Sequence, residues 1–574
     1  MFKAGWSKRE ILVKAQGYAM MGYGMWHNRA WGQQTPLFAR AIWLADEQGN
    51  EIAFCCLDLG YITYAMRSTI IRQLQDTIGD SFNPERLVLT CTHTHSGPGG
   101  CTHDALYNVV TPGFVPDNLQ QIVLATVEAL LTARTHLEAV ELSLAHAAFA
   151  ETTAVAWNRS LDAYNRNPDV SKLNHQQCHL ALNREMPVLA IRHQGQVAAF
   201  VSLFGVHATA VGNNQTKYCA DNKGYAAVAA EAALTQQGVA APVAIFAQAT
   251  AGDVSPHYHG PNDIARRKQW QGEKEYTYAE QNGRLQAEHA LQIIQQASLP
   301  ITGALDAILT YVDLSNQHAE PRFANGEQQA FTSQPCHGVA FFTGTRVDGP
   351  GMPMAIGKVA KQLARAVKTT RLRRLHKLTL TEQQYYQRLY AAQGVKDIML
   401  EAGRKQILGQ AIDKLMVPAI ADPLVAELKR QAAKGAMKES AMVPTVLPIQ
   451  IIRLGNIAIV CCPGEFTTIA GQRVVQTVAQ ILATANIEQV LICTYCNDYM
   501  GYVTTYEEYQ QQAYEGGHTI YGQWTLAAFQ TCFAKLAEQF ALPKDQRQYD
   551  QHTQPLPAPV HELALRTNLT PPRR

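Results

Sequence analysis

A layered α/β (α+β) fold, with mixed β-sheets flanked by helices, is predicted by three observations. Strand-like and helix-like patterns alternate from residue 39 to about residue 260. Apolar strands end repeatedly in loops of small residues that carry polar groups, as expected where strand ends build a site. The chain has 574 residues and is 47% hydrophobic, which is material for a sizeable core or two.

The elements follow in order. Residues 39–60, ARAIWLADEQGNEIAFCCLDLG, read as two strands joined by a turn over Glu47–Asn50, a hairpin. From Tyr64 to Ile78, Met66, Ile70, Leu74 and Ile78 recur every fourth residue, and Gly79 is placed to end that helix. Leu87–Thr90 is a buried strand. Pro116 and Asp117 open an amphipathic helix with Leu119, Ile122, Val123, Val127, Leu130 and Leu131 on its inner stripe. AAFVSLFGVH is a strand ending at His207, and Asp221 is positioned to cap the alanine-rich helix after it. The strand PVAIFAQ then runs into ATAGDVSP, which presents Asp253 and Ser255.

Residues 343–351, TGTRVDGPG, form a glycine-rich loop. Beyond it Ile356, Val359, Ala360, Leu363 and Val367 mark an amphipathic helix leading into the basic run Lys368–Lys377. Such a run normally forms a solvated face, and no interleaved aromatics support a nucleic-acid patch. Residues 378–440 read as a charged helical insertion. A strand pair, IQIIRLGNIAIVCC, precedes Pro463, Gly464 and Glu465 and a further helix, and QVLICTYCND feeds a tyrosine-rich stretch. One domain is expected over 1–542, followed by a Pro-rich tail over 543–574 that only docking would order.

Composition excludes several classes. The 49 basic and 47 acidic residues nearly cancel, so no global field recruits nucleic acid or an anionic membrane. No long uncharged apolar run and no signal-peptide pattern occur, which leads us to expect a cytoplasmic protein with at most peripheral membrane contact. Cys55/Cys56 and Cys461/Cys462 lie inside apolar runs and suit reduced, buried thiols. The lone CxxC, Cys493 and Cys496, follows a strand outside any thioredoxin-like setting, which argues against redox or zinc-ribbon chemistry.

The densest chemistry is in LVLTCTHTHSGPGG, residues 87–100. His93 and His95 are two apart, so their imidazoles point to opposite faces if the strand continues, one toward a metal and the other toward a substrate. Alone, a His-x-His is more often an ordinary pair of satisfied histidines at a turn. No His-Glu-x-x-His helix, Gly-x-Ser-x-Gly elbow or phosphate loop is present.

Taken together, LTCTHTHSGPGG, WNRS with AY and NP, DNKGYA, FAQ with GDVSP, GT with DGPG, CPGEFTTIAG, and YVTTYEEYQ with YEG and TIYG occur in an order that resembles the neutral ceramidase family. The match runs with gaps from Met20 to Gly522. The resemblance implies hydrolysis of the N-acylsphingosine amide to a fatty acid and a sphingoid base, with one zinc ion per chain. It implies that His93, His207, Glu465 and Tyr502 hold that ion, a donor set suited to zinc with a position left for water whose pKa falls toward ~7. It further implies that His95 faces the substrate as an acid/base or hydrogen-bond donor, and that Arg159 and Tyr514 bind the amide oxygen or head-group hydroxyls. Ser255 matches a family serine that acts either as nucleophile or as a substrate-orienting group. Zinc-activated water is the favoured attacker, since no His or Lys base neighbours Ser255 in sequence. For Asp253 a loop-stabilising role is at least as good as a catalytic one.

Several departures bear on the substrate. Family members are usually secreted or membrane-displayed and carry a further β-sandwich domain after the TIYG region, a domain that we do not expect here after Gly522. His257 follows GDVSP in place of asparagine, MPMAIG follows DGPG in place of a phenylalanine-containing segment, and 378–440 looks unlike the family. A zinc hydrolase of a small soluble amide or ester, and a catalytically silent lipid-binding protein, are therefore the alternatives to a ceramide amidase.

Overall fold

The computed structural model describes residues 2–79, 81–296, 298–415 and 423–571. Its core is two sheets packed face to face. The larger is nine-stranded and contains β1 (Phe2–Glu10), β2 (Phe38–Ala45), β3 (Glu51–Leu57), β4 (Leu87–Cys91), β5 (Glu138–Ala148), β6 (Glu185–His193), β7 (Gln196–Leu203) and β8 (Val243–Ala247). Their order is β8-β7-β6-β5-β1-β2-β3-β4, with Leu299–Pro300 as a short addition beside β5. The smaller sheet runs β9 (Leu305–Asp313), β10 (Val446–Leu454), β11 (Ile457–Cys461) and β12 (Gln489–Cys493).

Alternation along β2, β3 and β4 explains the layers. Ile42, Phe54 and Val88 face the second sheet, where they meet Ile452, Leu454 and Ile459. Their neighbours Ala41, Trp43, Cys55 and Leu89 point the other way, under the helices Tyr64–Ile78 and Pro116–Thr135. Both faces are buried, so these strands read as nearly continuous apolar runs. Further along the same face lie the helices Asp221–Gln236 and Lys274–Ile293. Thr468–Leu482 and Thr525–Phe540 cover the outer face of the smaller sheet. The result is a four-layer α/β/β/α domain.

The expected hairpin forms between β2 and β3, and Asp46 accepts the Gln48 and Asn50 amides to hold its turn. The first helix spans Tyr64–Ile78, with the Thr63 hydroxyl accepting from the Met66 amide and Gly79 at φ +82° at its end. Four expectations need correction. The strand expected to end at His207 ends at Leu203, because the chain leaves the sheet before Gly205 and delivers His207 from a loop. Asp221 does not cap its helix in the ordinary way: at φ +53° its carboxylate accepts the Ala210 and Val211 amides and so ties down the His207 loop.

The region 378–440, of which 416–422 lie outside the described residues, is not purely helical. Between the helices Leu380–Gln393 and Pro423–Ala433 the short strands Ile398–Glu401, Gln406–Ile407 and Gln410–Ala411 pair onto Cys336–Gly338. Finally, of the residues that mark the helix Met354–Arg373 as amphipathic, Ala360 is buried with Gly357 and Ala364, whereas Ile356, Val359 and Leu363 face outward. The tail docks through Val560–Arg566: the buried Arg566 donates to the Ala436 and His103 carbonyls, and its own carbonyl accepts from the Phe114 amide.

The parallel pairs β3/β4, β7/β8 and β11/β12 bring their carboxyl ends to one rim. Backbone bonds knit those ends together, with Thr494 N–H donating to Gln248 O (3.0 Å) and Asn497 N–H donating to Leu89 O (2.8 Å). Loops from four separated stretches of sequence thus converge where open α/β sheets commonly hold ligands.

Candidate functional site

β4 ends at Cys91, and His93 adopts φ +63°, a left-handed conformation uncommon for a non-glycine residue. The strand therefore does not continue through His95, and the expectation that the two imidazoles face opposite ways fails. Instead the two Nε2 atoms lie 3.1 Å apart, with the rings perpendicular. Tyr495 (φ +57°) and Asn497 (φ +67°) are strained in the same way on the opposing loop, so the unusual backbone clusters at this rim. Gly22, at φ +134°, is required for close approach, because a Cβ there would lie 2.3 Å from the His95 ring.

Three separated elements complete the cluster. Glu465 Oε2 lies 3.3 Å from His93 Nε2 and 3.0 Å from His207 Nε2, and the Tyr502 hydroxyl lies 3.1 Å from His207 Nε2. Glu465 and Tyr502 stand side by side because Glu465–Phe466 and Tyr502–Val503 form a parallel two-stranded pair. All four are almost wholly buried. The structure thus brings together His93, His207, Glu465 and Tyr502, and it adds His95 to the same knot.

These residues fit a metal ion. Ligands about 2.0 Å from a tetrahedral zinc ion stand about 3.3 Å from one another, close to the separations found here. His93 Nδ1 lies 2.6 Å from the Gly60 carbonyl and His207 Nδ1 lies 3.1 Å from that of Val254. Those bonds place the proton on Nδ1 and leave each Nε2 lone pair pointing at the other donors, as metal ligands require. His95 differs, since its Nδ1 is buried without a hydrogen-bond partner and no carbonyl fixes its tautomer. Burial, and then His93 and His207, hold the His95 imidazole far below its ordinary pKa; burial and Arg159 lower that of His207. Burial would push the Glu465 carboxyl up, but the two imidazoles beside it hold it well below the usual carboxylate range. Tyr499 donates to Glu465 Oε1 (2.6 Å) and Tyr495 to Oε2 (3.3 Å), orienting the carboxylate from behind.

Arg159 is fully committed. Its Nε donates to Glu515 (2.9 Å), Nη1 to Asp348 (3.0 Å), and Nη2 to both the Gly252 carbonyl and the Tyr502 hydroxyl (2.9 Å each). Tyr514 stacks its ring edge on Tyr502 at 5.3 Å and lies 5.6 Å from the Arg159 guanidinium. Ser255 donates to Asp348 Oδ1 at 2.8 Å, which supplies the spatial neighbour that its sequence lacks. Burial raises the Asp348 carboxyl, but Arg159 first, then His257 and His207, leave it below the ordinary range, so it is a poor base for Ser255. Asp253 accepts from Thr468 and from Asn158, which is the loop-holding role.

Sequence reasoning missed Asp348, Glu515, Tyr495 and Tyr499. Asp348 sits in the glycine-rich loop already singled out, and a carboxylate between Arg346 and two small residues was the available signal. The two tyrosines carried none, because only the left-handed turn at Tyr495 aims them at Glu465.

Comparison with known proteins supplies independent findings. The family described as neutral/alkaline non-lysosomal ceramidase, N-terminal, matches residues 2–418 and 428–531, and so runs through most of the stretch expected to be unlike it. The neutral ceramidase of Pseudomonas aeruginosa is 29% identical over 546 residues, covering 93% of this chain and 72% of that protein. The neutral ceramidase of Mycobacterium tuberculosis is 28% identical over 545 residues, covering 94% and 77%. Among solved structures, a ceramidase complexed with C2 superposes with a TM-score of 0.79 at 27% identity, over 97% of this chain and 78% of that one. The crystal structure of neutral ceramidase from Pseudomonas aeruginosa gives 0.76 at 26% identity, over 97% and 76%.

Proposed function

Because the chain belongs to the neutral/alkaline non-lysosomal ceramidase family, we propose that it is a zinc-dependent amidohydrolase that cleaves the N-acyl amide of ceramide, or of a ceramide-like lipid, to a fatty acid and a sphingoid base. The observation that carries this reading is the meeting of His93, His207, Glu465 and Tyr502 at ligand-to-ligand spacing, with both Nδ1 atoms tied to carbonyls. When bound by these four, zinc supplies Lewis acidity, which acidifies water and polarises a carbonyl.

The remaining steps belong to the chain. His95, with an unpinned tautomer and a lowered pKa, is neutral at pH 7 and able to take a proton from attacking water and return it to the leaving amine. Arg159 donates to the Tyr502 oxygen and holds it in place, and its positive charge would favour a negative oxygen developing beside Tyr502 in the transition state. Tyr514, partly exposed beside Tyr502, would donate to the amide oxygen. Water is favoured as nucleophile over Ser255, whose hydroxyl proton points at a carboxylate too acidic to remove it. Metal analysis joined to a screen of N-acyl substrates of varied chain length tests this function. Absence of zinc from active enzyme, or turnover confined to small polar amides, would overturn it.

Two smaller effects follow. Ser255→Ala is expected to lower kcat/KM by no more than ~10-fold, because one positioning bond is lost; loss of a true nucleophile would cost nearer ~10⁶-fold. Zinc affinity is expected to hold constant from pH 8 down to about 6.5, the ordinary histidine value, and to fall only below it. The sign follows from the lowered pKa of His207, which delays proton competition at that ligand to more acidic pH. Chelator competition across pH checks this, and an affinity already falling between pH 8 and 7 would refute it.

A further inference from the structure

The helix Met354–Arg373 is built inside out for a globular protein. Its buried side holds only Gly357, Ala360 and Ala364, packed toward Val339, Met399 and Leu408. Its large apolar side chains face outward: Met354 is 77% exposed, Ile356 55%, Val359 60% and Leu363 49%. At 3.6 residues per turn Ile356, Val359 and Leu363 form one stripe. Lys358, Lys361, Arg365 and Lys368 fall on the opposite side, Arg365 paired there with Asp397 and Lys368 donating to the Gly394 carbonyl, which leaves Lys358 and Lys361 as the cations unpaired among the described residues, and no acidic residue occurs in the helix itself. An unpartnered apolar stripe backed by a cationic face is the pattern of a helix that lies in a membrane surface, with its apolar side among the lipids and its cations near anionic headgroups.

Position adds a second argument. The helix directly continues the loop that carries Asp348, which binds Arg159 and Ser255 in the site. Gly349 of that loop abuts the Tyr23 ring, which in turn packs edge-on against His95 at 4.7 Å. The start of the helix is therefore joined to the site through a short loop, and in that site His95, Tyr514 and Tyr23 are incompletely buried. Among the described residues no helix is long and apolar enough to cross a membrane.

We infer that Met354–Arg373 is an interfacial docking helix that seats the enzyme on an anionic lipid surface, with Ile356, Val359 and Leu363 entering the lipid and the site's mouth turned toward it. The choice of lipid as occupant rests on the proposed lipid amidase function together with charge complementarity, which a second copy of this cationic helix would lack.

The test is flotation of the full-length, zinc-loaded enzyme with phosphatidylcholine vesicles, with and without phosphatidylglycerol. Wild type is expected to bind the anionic vesicles and to be released by salt. The double variant Ile356→Glu/Val359→Glu is expected to lose at least ~10-fold in vesicle affinity. It should lose a similar factor in hydrolysis of vesicle-embedded ceramide, while turnover of a soluble short-chain N-acyl substrate stays within about twofold. Lys358→Glu/Lys361→Glu should abolish the preference for anionic vesicles with the same soluble turnover. Failure of wild type to bind vesicles, equal binding by the Ile356/Val359 variant, or a dimer in sedimentation that this variant dissolves would each overturn the inference. Vesicle binding without turnover of any N-acyl lipid would leave the docking helix standing and remove the amidase reading. Turnover of micellar ceramide without vesicle binding would do the reverse.

Discussion

His207→Ala is expected to yield a folded protein that retains no stoichiometric zinc and hydrolyses the best N-acyl substrate on the order of 10³-fold more slowly, or worse. His207 contributes one of two imidazoles whose Nε2 atoms lie within 3.3 Å of Glu465 Oε2. Its removal leaves a carboxylate, a phenol and His93 as donors, one nitrogen short of the set. The fold should survive, because the backbone there is held independently: Asn222 donates to the His207 carbonyl and the His207 amide donates to Val254. Conservative replacement behind the ligands should do less. Tyr499→Phe removes the 2.6 Å bond to Glu465 Oε1 and is expected to weaken zinc binding by about 10- to 100-fold. Elemental analysis and kcat/KM on both variants decide the matter. Full activity in demonstrably zinc-free His207→Ala would end the metal mechanism.

The parts of this site that were legible and those that were not differ in a physical way. The hairpin at Phe38–Leu57 and the helix Tyr64–Ile78 follow from local patterning, and both are found with nearly the expected bounds. Local patterning also places His93, Glu465 and Tyr502 after strands. Their convergence is a property of sheet order and parallel pairing, and only the family resemblance carried that information forward. Side-chain direction at His95 was misjudged because one left-handed residue, His93, cancels the two-residue period of a strand. The helix Met354–Arg373 shows the converse error. Its apolar periodicity was read correctly, but periodicity states that a stripe exists and not what covers it, and here the small residues face inward. Asp348 escaped notice because a lone aspartate in a glycine loop has no spacing to betray it. Its partners Arg159 and Ser255 lie far away in sequence and meet it only after the loop has closed.

Arg159→Met is expected to damage stability and catalysis together, and its pH signature separates charge from mere packing. The guanidinium bridges Glu515 and Asp348 in a buried site, and its side chain and theirs are each no more than 5% exposed. Removing it strands two carboxylates without their cation, a change expected to cost about 3–5 kcal/mol by chemical denaturation. The Tyr502 hydroxyl also loses its donor, so activity measured at a temperature where the variant is folded should fall by roughly 10²- to 10³-fold. Lysine at this position should recover part of the stability but little activity, because a single ammonium cannot reproduce the planar fork that reaches Glu515, Asp348 and Tyr502 at once. In wild type, Arg159 outweighs burial and holds the Asp348 pKa below its ordinary 3.8. The resulting stabilisation is therefore fully present above the unfolded value and is lost as pH falls through the folded one. Without Arg159 burial dominates, the folded pKa rises above 3.8, and the sign reverses: acidification toward that raised value protonates Asp348 and restores stability. Denaturation midpoints compared between neutral pH and pH 5 should show the deficit of Arg159→Met narrowing on the acid side. A deficit that stays constant with pH would mean that the guanidinium acts by packing, and that Asp348 is not the charge it was placed to hold.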